Sequence, residues 1–495
     1  MTLLNSKGEK AMLTRRALDN EDTPWWQPML FGAMAGGLAW GIRGQYGHET
    51  GAMMAGLLVS LTLVYLLCWG ASSSQVVRAV AWTTIAMGVG GSMTYGQTLG
   101  LTQNPPVIGN WAALGWGLLG CAVKGGLWIG FAGVFLGMGL SGVRYRPIEL
   151  LLLTLGLVAV YILGMTIFNS PFDIENKRLP LLYFSSAWRW EPGADIEPRR
   201  EYWGGMVLAL AAVAAYVRIR RKDTLALRMA LWGLLGGAVG FPLGQSLQAW
   251  HAWNAAAVSE ALPWLSTRIN WWNMMETTFG ATMGGTLGLG LWLNRERIQP
   301  ANDPKLIPSE VGALLLVAHL ILLVGAEFLG VPIVEPVYDM GIIMIIIPVV
   351  AVAGGRWWPY WMLLPVTLLP IAVKTVLFVG YEAKTTHPGV AWIAYFAIPM
   401  AVVIAAAVWF ARLAEAGGSA RRFSAHALLL SVWTLFFLNF AIFDYSWPWS
   451  EWTARTPNAI IFAVFALGLT GMVVVTELNY PEQKGSRPNA RSEPS

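Results

Sequence analysis

The residues best suited to chemistry are concentrated between Gly41 and Gly51, where Arg43, Gln45, His48 and Glu49 stand among four glycines, flanked by apolar runs. A planar guanidinium can grip a carboxylate or phosphate with two prongs, and an imidazole beside a carboxylate can exchange a proton or hold a cation. Glycine weakens a helix, and Arg, His and Glu are costly in hydrocarbon. The segment is therefore expected to form a broken or re-entrant turn lining a polar cavity. The plainer alternative is a loop at headgroup level with Arg43 bonded to Glu49.

Six more ionisable residues lie inside apolar runs: Lys124, Glu276, His319, Glu327, Lys374 and Asp444. Each needs a partner or water there, which makes it a functional candidate. Lys124 and Glu276 occupy related places and carry opposite charge, so a salt bridge between them is expected. Glu327 and Lys374 complete the candidate ion-pair set. His319, between Ala318 and Leu320, suits an interhelical hydrogen bond better than proton transfer.

A glycine-rich helix ending in Gly-Gln recurs three times, at Gly44-Gln45, Gly96-Gln97 and Gly244-Gln245. Each is followed by a return helix with small residues three or four apart, such as Gly126, Gly130, Gly133 and Gly137, or Gly280, Gly284 and Gly288. Such spacing is also ordinary packing chemistry between membrane helices. An amide offers donors and an acceptor, so the three glutamines either form a polar vestibule or cap their own hairpins. Asn270, Asn273, Glu276 and Thr277 follow helical steps and form a polar stripe. The expected substrate-binding set is Arg43, Gln45, His48, Glu49, Gln97, Gln245, Asn273 and Glu276.

Other chemistries lack their residues. There is no P-loop, HExxH, GxSxG or CxxC, and His48-Glu49 has no second histidine at helical spacing. Cys68 and Cys121 both lie in apolar runs. No cofactor and no metal are expected, and no catalytic residue is assigned.

The elements that must position these groups follow from composition. Of 495 residues 56% are hydrophobic and 12% charged, against roughly 25% charged in soluble domains. Apolar runs near the ~20 residues needed to cross a bilayer recur along the chain. Spans are expected at 28–48, 51–70, 79–101, 111–140, 149–168, 204–217, 226–248, 269–293, 310–330, 340–355, 359–380, 390–411, 426–446 and 457–476. They must be helices, because unpaired backbone is too costly in lipid and no barrel alternation appears. The fold class is thus an all-α polytopic membrane bundle of about 14 helices with glycine-rich helical-hairpin repeats.

With the N-terminus inside, 22 of the 33 Lys and Arg residues fall on the cytoplasmic side and nine outside, as the positive-inside rule requires. Five of those nine share the outer loop 169–203 with six acidic residues. The net charge of +5 therefore reads as topology, and no nucleic-acid partner is expected. The organisation expected is a cytoplasmic segment 1–27, a repeat-containing membrane part 28–293, a second helical part 310–476 and a cytoplasmic tail 477–495. No cleavable leader is expected, and the setting is a bacterial inner membrane with both termini cytoplasmic. Most of the 27 tryptophans suit interfacial belts, while Trp188-Arg189-Trp190 suits a sugar-stacking lid.

The expected function is a secondary transporter or permease for a small polar solute, anionic or hydroxylated, coupled to protons or sodium. The alternatives are a membrane-embedded transferase or hydrolase acting on a lipid-linked or periplasmic substrate, and a structural subunit of a membrane complex. Besides the bilayer and the solute, no partner or oligomeric state is assigned.

Overall fold

The computed structural model describes residues 23–42, 46–94, 97–193, 195–300, 308–332, 334, 358–415, 420–442 and 452–479. Arg43, Gln45, Asp444 and the expected span 340–355 lie outside the described residues. Among the described residues the chain is helical, with one isolated bridge between Asp173 and Arg178 and no strand. The helices are α1 Trp26–Ile42, α2 Gly47–Leu67, α3 Ser73–Thr94, α4 Trp111–Leu140, α5 Pro147–Phe168, α6 Trp203–Ala215, α7 Thr224–Trp253 and α8 Trp271–Leu293. They are followed by α9 Ser309–Val324, α10 Trp358–Leu377, α11 Ile398–Glu415, α12 Ala420–Ile442 and α13 Thr456–Asn479. π-helical turns extend α6 (Tyr216–Arg220), α9 (Gly325–Leu329) and α10 (Phe378–Glu382), and another, Trp392–Ala397, leads into α11. Eight helical stretches among the described residues are long and apolar enough to cross a membrane, so the chain is a helical integral membrane protein. Upper denotes the end of the bundle where α1 gives way to α2, and lower the opposite end.

Helix starts follow local sequence. The side chains of Asn110, Asp223 and Asn270 accept the backbone N–H of Ala113, Ala226 and Asn273 at 3.1, 2.9 and 3.0 Å, fixing where α4, α7 and α8 begin.

Six helices close a ring: α1 packs on α2, α2 on α3, α3 on α4, α4 on α7, α7 on α8, and α8 on α1. Glycines set its tightest seams. Gly32 and Gly36 of α1 lie against the backbone of Gly284 and Gly280 of α8, and Gly288 lies against the Pro28 carbonyl. The same four-residue step joins α4 to α7, where Gly125 meets Gly237, Gly233 meets the Ile129 carbonyl and Gly133 that of Met229. A Cβ at these positions would overlap main-chain atoms, so the helices touch backbone to backbone.

The ring is not hollow at mid-height. Trp40 of α1 meets Trp128 of α4 with centroids 4.7 Å apart, and Phe279 of α8 lies 6.1 and 5.5 Å from the two indoles. Phe241 of α7 stacks on Phe279 at 4.8 Å. All four are fully buried and reach across the ring interior. Gly90 of α3 makes room for the Trp128 ring, whose Nε1 donates to the Met87 carbonyl at 2.9 Å.

The later helices pack on one flank of this ring. On α13, Phe462 fills the notch at Gly41 and Phe465 the one at Gly37, while α12 lies along α2. The result surrounds α2 completely: the most apolar stretch of Gly47–Leu67 is 100% buried, whereas that of α5 is only 6% buried. Ile148, Leu151, Leu152, Leu155 and Ile162 make α5 the lipid-facing outlier, joined to α6 where Gly164 meets Gly204.

Candidate functional site

The candidate residues read from the sequence lie mostly toward the upper end, in separate groups. The most unusual group spans three helices. Gly47, at φ +79°, turns the chain into α2, and Glu49 follows in the first turn, buried. Only a residue without Cβ takes that backbone conformation readily. Glu327 comes from the π-helical turn ending α9, and Lys374 from the last turn of α10. The Lys374 ammonium lies 2.9 Å from Glu327 Oε1 and 3.5 Å from Glu49 Oε1, with side-chain exposures of 12% for the lysine and 8% and 9% for the carboxylates. Thr50 donates to Glu49 Oε1 at 3.2 Å. One residue along α10, the Thr375 hydroxyl donates to the Ile371 carbonyl at 2.7 Å. It is thus left to accept from the buried Tyr46 hydroxyl at 3.3 Å. Among the described residues this group holds two carboxylates and one ammonium, a formal excess of one negative charge in a nearly dry place.

The second group is a latch. Lys124, expected to pair with Glu276, pairs instead with Glu201, at 2.6 Å and with 3% and 2% exposure. The reason is the richer set of partners there. Lys124 also reaches Thr98 Oγ1 at 2.5 Å and Ser185 Oγ at 3.4 Å, and Glu201 accepts from Ser185 Oγ (2.8 Å) and Phe184 N–H (3.0 Å). Segment 169–203, read in sequence as an outer loop, is thereby folded down over α4 and the connection from α3 to α4. Gln97 belongs to the same clamp: it donates to the Glu197 carbonyl at 2.8 Å and accepts from Arg199 N–H at 3.0 Å. In the same segment, burial pushes the Tyr183 phenol up, keeping it a donor to the Arg199 carbonyl at 2.9 Å.

The third group consists of amides. Gln245, fully buried, donates to Thr102 Oγ1 at 2.6 Å, and its Oε1 has no hydrogen-bond partner among the described residues. Asn273 donates to the Gly41 carbonyl at 3.1 Å, its Oδ1 likewise left without one. Glu276, fully buried, accepts from Trp272 Nε1 at 2.7 Å. The sequence reading did not single out Asn439, near the upper end of α12, or Asn458, in the first turn of α13. Both are fully buried with neither amide atom hydrogen-bonded among the described residues. A buried amide rarely goes without a hydrogen bond, which sets both apart among the described residues. The signal available in sequence was an asparagine within an apolar run.

The chain matches no family model, no curated protein and no solved structure at a significant level.

The expected residues thus divide. Glu49, Glu327 and Lys374 come together. Lys124 and Gln97 hold the 169–203 segment, and Gln245 and Asn273 each have one amide atom without a hydrogen bond among the described residues. His48 lies half-buried in the first turn of α2, and His319 is buried in α9. Among the described residues no group of three metal-ligating side chains is found.

Proposed function

We propose that the chain is a secondary transporter of a small polar solute, with Glu49, Lys374 and Glu327 as its coupling site for a proton or a sodium ion. The reading rests on one observation: Lys374 lies between two buried carboxylates carried by different helices. Taking an ion out of water costs several kcal/mol, and one carboxylate is enough to neutralise one ammonium. A second carboxylate adds a charge that a mobile cation can meet, and it gives the lysine two alternative partners. When a proton or sodium ion occupies Glu327, Lys374 is released to Glu49, and the contact between α9 and α10 loosens. Glu327 sits in a π-helical turn and Lys374 one turn before another. Such turns are frequent at functional sites.

The amide atoms of Gln245, Asn273, Asn439 and Asn458 that have no hydrogen bond among the described residues support a ligand rich in hydroxyl or carboxylate oxygens. In this reading the bundle has fourteen spans in a bacterial inner membrane, with both termini cytoplasmic and the upper end outward. α1–α2, α3–α4 and α7–α8 are three hairpin repeats around the ring.

The test is uptake into proteoliposomes of labelled dicarboxylates, phosphate and hexoses under imposed pH or sodium gradients. One solute class is expected to accumulate, with Lys374→Met and Glu327→Gln each lowering gradient-driven uptake by roughly 10-fold or more. Uptake that both variants leave intact would contradict the assignment of the coupling site.

A further inference from the structure

A cavity of about 940 Å³ opens at the lower end, where α5 begins and α6 ends. Four arginines line it, Arg144 and Arg146 from the approach to α5 and Arg220 and Arg221 from the end of α6, against one carboxylate, Glu149. The formal balance of the lining is +3. Glu149 is already committed. Tyr216 donates its hydroxyl to Oε1, Arg221 Nε lies 3.1 Å from the same oxygen, and the Arg146 N–H reaches Oε2 at 3.3 Å. Arg221 is held further by the Arg144 carbonyl and by the Tyr145 ring 5.2 Å away. Arg144, Arg146 and Arg220 are exposed, and none lies within salt-bridge distance of a carboxylate among the described residues.

Above this basic rim the cavity is apolar. Ile148, Leu152, Gly156 and Val160 line it at steps of four, a stripe along one face of α5. At Gly156 no atom lies within 4 Å of where a Cβ would stand, so the groove has a notch half-way down. Twelve residues of helix rise about 18 Å, a little more than the ~15 Å of hydrocarbon in one leaflet. Ile148 and Leu152 are 60% and 63% exposed, so this wall is open to lipid.

We infer that this groove is a binding site for one anionic phospholipid. Its phosphate rests on Arg144, Arg146 and Arg220, and an acyl chain lies along Ile148, Leu152 and Val160 across the Gly156 notch. Guanidinium forks suit phosphate oxygens, the surplus of positive charge selects an anionic over a zwitterionic headgroup, and the stripe supplies what a free phosphate could not use. The site lies at the end of the bundle opposite the charge triad and stands whether or not the transport reading does.

The test is native mass spectrometry of the full-length protein, titrated with dioleoylphosphatidylglycerol or dioleoylphosphatidylcholine, with inorganic phosphate as competitor. One phosphatidylglycerol per chain is expected to be retained in preference to phosphatidylcholine, undisplaced by phosphate. The triple variant Arg144→Ala/Arg146→Ala/Arg220→Ala is expected to weaken retention by roughly 100-fold, and Arg218→Ala/Arg412→Ala to leave it unchanged. Gly156→Leu fills the groove without touching charge and is also expected to lower retention, with thermal unfolding confirming that each variant is folded. Equal retention of the two lipids, displacement by phosphate, or wild-type retention in either the triple variant or Gly156→Leu would overturn the proposal.

Discussion

Lys124 and Glu201 show how much a single buried charge depends on its partner. The pair is almost dry, and each member is surrounded by further hydrogen bonds. Glu201→Gln leaves an ammonium without its counter-charge and is expected to destabilise the fold by about 3–5 kcal/mol, whereas Lys124→Met/Glu201→Leu recovers most of that loss. Thermal unfolding of the purified variants measures both; a double variant no more stable than Glu201→Gln would rule out this account. The sequence marks Lys124 as needing a partner, because an ionisable residue stands in an apolar run. It does not say which, since Glu201 lies 77 positions away in a segment with five other acids. Glu327 and Lys374 are visible for the same reason and Glu49 as a polar residue among the glycines of 41–51, and the packing of α9 on α10 and of α10 on α2 joins them.

At the scale of elements, the glycines carry the design. Gly36 and Gly237 face main-chain atoms of the neighbouring helix, while nothing lies within 4 Å of a Cβ placed at Gly115. Gly36→Ala and Gly237→Ala are therefore expected to cost about 1–3 kcal/mol by forcing helices apart. Gly115→Ala, inside α4 with free space, is expected to gain up to about 1 kcal/mol from helix propensity. Steric-trap or thermal unfolding in detergent reads all three, and equal effects would contradict the seam. The stripes themselves are legible in sequence, as small residues at steps of four. Their partners are not: the two longest seams join α1 to α8 and α4 to α7, whereas single contacts such as Gly244 with the Met275 carbonyl join the two arms of one hairpin. Periodicity records that a face is narrow without recording what meets it.

Across the whole molecule, hydropathy separates membrane from water but not lipid from core. α2 and α5 have mean hydropathy of 1.9 and 2.5 in their most apolar windows, yet one is wholly enclosed and the other bare. Lipid tails and packed side chains are equally apolar, so the sequence of either helix fits both places. Leu58→Ala in α2 is accordingly expected to cost about 2–5 kcal/mol through the cavity it leaves. Leu155→Ala in α5, where lipid fills the gap, is expected to be nearly neutral by the same measurement. Within this architecture the central claim concerns the three charges that join the ring to α9 and α10. The most direct test needs no knowledge of the solute: capacitive current from proteoliposomes on a solid-supported membrane after a jump in pH or sodium. A transient current is predicted for the native protein and its loss in both Glu327→Gln and Lys374→Met. Currents of equal size in all three proteins, or none in the native protein after either jump, would contradict it.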